Sequence, residues 1–114
     1  MPLNSTDHPL PACPVEVTLR AIGTSWKILI LRELLGGHQL RFGELKERVT
    51  GISPKMLTAN LRAMEADGLL TRTAHPTIPP RVDYQLTELG ESLAPVLDAM
   101  KKWGSAIPAT AHTA

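Results

Sequence analysis

The stretch Gly51 to Leu70, GISPKMLTANLRAMEADGLL, carries a complete helix with its own start and stop signals. Ser53 is a good N-cap, because its hydroxyl can accept one of the orphan N–H groups of the first turn. Pro54 suits the first helical position, where its missing N–H costs nothing, and Gly68 after Asp67 supplies a left-handed stop. At about 100° per residue, Leu57, Leu61 and Met64 form one stripe, and Lys55, Thr58, Ala59 and Arg62 form the opposite one. That second face is short, polar and basic. It can enter a DNA major groove and offer hydrogen bonds to base edges, with Ala59 small enough for close approach. An ordinary amphipathic surface helix carries the same stripe, so this segment alone leaves both readings open.

The flanking residues favour the recognition helix. Arg41-Phe-Gly-Glu-Leu-Lys-Glu-Arg-Val49 predicts a short helix with Phe42, Leu45 and Val49 inward, and the turn Thr50-Gly51-Ile52 leads straight into the next helix. This is helix-turn-helix spacing. Downstream, Leu69 to Thr73 is strand-like, and Arg81 to Leu86 alternates with Val82, Tyr84 and Leu86 on one face. Between them, His75 to Pro80 holds three prolines and is expected to be irregular. Two short strands around a proline-stiffened loop predict a wing.

Upstream, Val15 to Ile22 predicts a first helix with Val15, Leu19 and Ile22 on one side. Ser25 to Leu35 is apolar on nearly every face and is expected to be the central buried helix, ended by Gly36-Gly37. A last helix is expected after Thr87, a good N-cap, carrying Leu89, Leu93, Val96, Met100 and Trp103 at spacings of 4, 3, 4 and 3. Packing within one domain is the usual explanation of such a stripe, but the small chain and the terminal tryptophan favour a seam between two copies. Pro95 is expected to kink this helix.

Taken in order, Cys13-Pro14-Val15, Trp26 followed by ILILREL, Arg41-Phe42 with Glu44-Leu45, GISPKML, LRAMEADGLL, PPRVDYQLTELG and Trp103-Gly104 resemble the HxlR-type winged helix-turn-helix regulators, relatives of the MarR type. The resemblance covers Cys13 to Gly104. It departs at Gly23-Thr24-Ser25, where such proteins more often have a second glycine and a basic residue, so Lys27 is the alternative to Ser25 for a phosphate contact. The resemblance implies a dimer built from the first and last helices. It also implies a sensing role for Cys13, since several such regulators detect oxidants, quinones or aldehydes at the matching position.

Composition fits one modest domain. The chain has 114 residues, 43% of them hydrophobic, one cysteine and a net charge of +1. It contains no apolar run long enough to span a membrane and no secretory leader pattern, which places it in the cytoplasm with no membrane partner. A single cysteine excludes an internal disulfide framework. The charge is unevenly spread: residues 1–40 balance three basic against three acidic, 41–82 hold seven basic and four acidic, and 83–114 hold two basic and four acidic. The positive excess thus falls on the helix-turn-helix and wing, where phosphates would be met, although a mixed solvated surface is compatible with it. Residues 1–12 read as an N-terminal arm, 13–104 as the DNA-binding and dimerisation domain, and 105–114 as a tail.

Catalysis finds little support. His8, His38, His75 and His112 have neither the spacing nor the cysteine partners of a zinc site, so no metal is expected. There is no glycine-rich phosphate loop after a strand and no pairing of carboxylates for acid–base work, so neither an enzyme nor a cofactor is expected. Cys13 stands just before Pro14 at a helix start, where free N–H groups and the helix dipole favour a thiolate. It is either a sensor or a small residue plugging the arm against the domain.

The combined expectation is a mainly helical fold with a small two-stranded wing. Its function is that of a dimeric, sequence-specific DNA-binding repressor, acting on double-stranded DNA with an inverted-repeat operator. Lys55, Thr58, Ala59 and Arg62 would face the major groove, Ser53 and Asn60 the nearby backbone, and Arg81 with Arg72 and His75 the phosphates or minor groove. Val15, Leu19, Leu93, Val96, Met100 and Trp103 would form the dimer seam, and no particular small-molecule effector is indicated. The alternative is a winged-helix module that binds a protein without specific DNA binding.

Overall fold

The computed structural model describes residues 13–108. The expected arm, 1–12, and positions 109–114 of the expected tail lie outside the described residues. The elements run α1 (Pro14–Ile22), α2 (Ser25–Leu34), β1 (Leu40–Arg41), α3 (Phe42–Arg48), α4 (Pro54–Ala66), β2 (Leu70–His75), β3 (Arg81–Leu86), α5 (Glu88–Glu91) and α6 (Ala94–Ser105).

The start of α4 follows its capping chemistry. Ser53 Oγ accepts from Met56 N at 3.1 Å, Pro54 occupies the first turn, and Gly68 leaves the helix at a φ of 76° that only glycine adopts freely. Leu57 and Met64 are fully buried and Leu61 is 2% exposed. Burying each such side chain stabilises the fold by about 1.5–3 kcal/mol, so the inward stripe fixes which face of α4 is left outside. The central helix α2 buries Ile30, Leu31 and Leu34 completely, while Trp26, Ile28, Leu29 and Leu35 pack half-buried against the same core.

The sheet has three strands rather than two, in the antiparallel order β1-β3-β2. Leu40 pairs with Tyr84 and Arg41 with Asp83, a two-residue strand too short to leave a periodic signal. β2 also runs two residues further than expected. Ala74 and His75 pair with Val82 and Arg81, so His75 belongs to a strand and not to the irregular loop.

The single last helix is a second correction. The chain forms a short α5 capped by Thr87, whose hydroxyl accepts from Gly90 N at 3.1 Å, and restarts as α6 after Ser92 and Leu93. Pro95 lies in the first turn of α6, where proline has no hydrogen bond to lose, so it starts a helix instead of kinking one. Gly90 lets α5 lie against the end of α4's connection, because a Cβ there would collide with the Leu69 carbonyl oxygen. Leu97, outside the stripe read from the sequence, is the buried residue of α6. Among the described residues no helix is long and apolar enough to cross a membrane.

Candidate nucleic-acid interface

The positions opposite the buried stripe of α4 are open. Lys55, Ala59 and Arg62 are exposed and Thr58 is partly so. Ser53 is also exposed, but its hydroxyl already caps the helix. Met56 belongs to this outer face with 41% exposure, next to Lys55 and one turn before Ala59. Its apolar character hid it, since periodicity assigns apolar residues to the core. An exposed thioether beside Lys55 can touch a thymine methyl in a groove.

Thr58, Arg62 and Arg72 come together. They line one cleft of about 400 Å³ with Glu65, Phe42, Leu61 and Tyr84, so the outward face of α4 continues onto β2. Arg81 and His75 lie elsewhere, at the far end of the β2–β3 hairpin. There His75 Nε2 donates to Asp83 Oδ2 at 2.9 Å, and Arg81 Nε faces the same oxygen at 3.5 Å. Arg41, counted in the basic excess but not singled out, is exposed and lines a second cleft with Arg81, Asp83, Gln39 and Glu44.

Asn60 is placed differently from its expected position near the DNA backbone. It is 6% exposed, its Nδ2 donates to Met56 O at 2.7 Å, and its Oδ1 accepts from the Thr24 hydroxyl at 3.2 Å. An amide so enclosed joins α4 to the start of α2. There Thr24 also caps α2 by accepting from Lys27 N at 3.3 Å, and Ser25 is exposed.

Among the expected seam residues, Val15, Leu19, Met100 and Trp103 are exposed at 66%, 46%, 44% and 71%. Leu93 and Val96 are half-buried, and Leu93 packs against its own core. An open groove of about 770 Å³ runs between α1, through Val17, Thr18 and Ala21, and the junction of α5 with α6, through Leu89, Ser92 and Leu93. Cys13 is exposed at the N-cap of α1 and makes no side-chain capping bond.

One carboxylate outside all these groups is strongly engaged. Glu91 accepts from Gly36 N at 3.0 Å and from Gly37 N at 2.9 Å, one oxygen each. These two backbone hydrogen bonds hold its carboxyl below the ordinary glutamate range, with a smaller contribution from nearby His38.

Residues 21–111 match the HxlR-like helix-turn-helix family, and the chain belongs to that family. An uncharacterized HTH-type transcriptional regulator of Methanothermobacter thermautotrophicus is 48% identical over 92 residues, which cover 81% of this chain and 70% of that protein. Among solved structures, the reduced form of the redox regulator HypR superposes with a TM-score of 0.80 at 37% identity, over 90% of this chain and all (100%) of that one. The reduced form of the transcriptional regulator YodB of Bacillus subtilis gives a TM-score of 0.75 at 33% identity, over 86% of this chain and 96% of that one. The protein is accordingly a transcriptional regulator of the helix-turn-helix type with a winged fold.

Proposed function

We propose that the protein is a dimeric repressor that binds an inverted-repeat operator in double-stranded DNA. The observation that carries this reading is the two-sided character of α4. Its apolar stripe is buried to 2% or less, which leaves Lys55, Thr58, Ala59 and Arg62 outward beside Arg72. Lys55 and Arg62 donate to base edges, Ser53 lies near the backbone, and the hairpin carries Arg81 and His75 to phosphates or the minor groove. Two copies related by a two-fold axis set their α4 helices about one helical turn of DNA apart, roughly 34–36 Å. The exposed apolar residues of α1 and α6 supply the seam.

Exposed Cys13 and the similarity to a redox regulator support a response to oxidants or electrophiles through this thiol. The protein works in the cytoplasm, as a regulator without catalysis, metal or cofactor.

The test is selection of bound fragments from the source genome, followed by affinity measurement over a salt series. Binding through phosphates weakens linearly in log–log form as counterions are released. Affinity for no genomic fragment above random DNA would contradict the reading.

A further inference from the structure

Asp83 is a buried carboxylate that the recognition face as described does not use. It is 8% exposed, yet it lies on the sheet face opposite the core-packed Val82 and Tyr84, because alternate residues of a strand point to opposite faces. Arg81 shares its face two residues away. His75 joins as the cross-strand partner of Arg81, and Arg41 as the partner of Asp83 on β1. A buried carboxylate is strongly disfavoured unless paired, and Asp83 Oδ2 takes the His75 Nε2 hydrogen at 2.9 Å and faces Arg81 Nε at 3.5 Å.

Each pairing uses only one edge of the side chain that meets Asp83. Arg81 engages through Nε, and its Nη1 and Nη2 have no protein partner among the described residues. Its side chain is 37% exposed, and His75 is 30% exposed with Nδ1 likewise unpartnered among the described residues. Arg81 Nε is buried without a hydrogen-bond partner and is paired with the carboxylate by charge alone, which leaves the other two guanidinium nitrogens for a ligand.

We infer that Asp83 is a positioning residue of the DNA interface, holding Arg81 and His75 so that their outer edges meet the sugar-phosphate backbone or minor groove in one geometry. This rests on the reading that the wing lies against DNA. The physical gain is preorganisation, since an arginine already fixed gives up less rotamer freedom on binding. The carboxylate also repels phosphates, so its presence lowers sequence-independent affinity. Positioning and bulk charge therefore predict opposite signs for its removal.

The experiment compares wild type, Asp83→Asn and Arg81→Lys on a selected operator fragment and on a random duplex of equal length. Circular dichroism checks that each variant is folded. D83N is expected to lose about tenfold in operator affinity while random-duplex affinity holds or rises. R81K keeps the charge but has no Nε edge, and is expected to reproduce the operator loss. In a His75→Ala, Arg81→Ala background, D83N is expected to change operator affinity no further. A parallel rise of both affinities in D83N, or a full D83N effect in that background, overturns the positioning role alone. If D83N does not fold, unchanged operator affinity in R81K overturns it. Wild type that selects no operator overturns the DNA reading and this inference with it.

Discussion

The hydroxyl of Thr24 donates to Asn60 Oδ1 at 3.2 Å, so the first residue before α2 is tied to the middle of α4. Asn60 Nδ2 donates to Met56 O at 2.7 Å, within its own helix. The outer face of α4 is thus set by a polar pin as well as by the Leu57, Leu61 and Met64 stripe.

Replacing Asn60 by alanine removes both bonds at a buried position. A loss of about 1–3 kcal/mol in urea unfolding is expected, with Thr24→Val costing less because Thr24 is exposed. The double variant should be less destabilised than the sum of the singles, which marks direct coupling.

The Glu91 carboxylate grips the turn after α2, and its titration has a definite sign. Its folded value lies below the ordinary 4.5, so the unfolded state binds more protons in the window just below that value. The stabilisation is complete above pH 4.5 and is lost as pH falls through the folded value. Glu91→Gln should therefore destabilise the protein at neutral pH and flatten this part of the acid limb in denaturation curves measured at successive pH values. Parallel pH profiles for wild type and variant would contradict the clamp.

Met100 and Trp103 are exposed apolar residues at the end of α6, at 44% and 71%. A Met100→Asp, Trp103→Asp variant should sediment as a monomer with an unchanged far-ultraviolet spectrum, and should lose affinity for an inverted repeat. A variant that stays dimeric would put the seam elsewhere.

Cys13 is the one thiol of the chain, so oxidation can join it only to a small thiol or to a second chain. Diamide or a quinone is expected to release wild-type protein from its operator and to leave Cys13→Ser bound. An equal response of the two proteins, or none in wild type, would make the thiol irrelevant to DNA binding.

The sequence made α4 legible because cap, proline, stripe and stop all lie within twenty neighbouring residues and agree. What it hid depends on distant pairing. β1 is a two-residue strand that exists only through β3, and Asp83 is buried only because β1 and the hairpin enclose it. Asn60 projects beside Leu57 and Met64 on the inner side of α4; its polar side chain suggests a contact outside, and the Thr24 hydroxyl and Met56 O are what satisfy it within. The break between α5 and α6 leaves no trace in the apolar spacing of 4, 3, 4, 3, which runs unbroken across Ser92 and Leu93. The same pattern concealed Leu97, which faces the core one position away from Val96.

If the outward face of α4 reads DNA, Lys55→Ala and Arg62→Ala each weaken operator binding. Both side chains are exposed and opposite the buried stripe, so neither substitution should unfold the domain. Titrated against a genomic fragment selected by wild type, each variant should lose about 1–3 kcal/mol of operator affinity with its melting curve unchanged. Operator affinity equal to wild type in both variants, with the fold intact, would contradict the account.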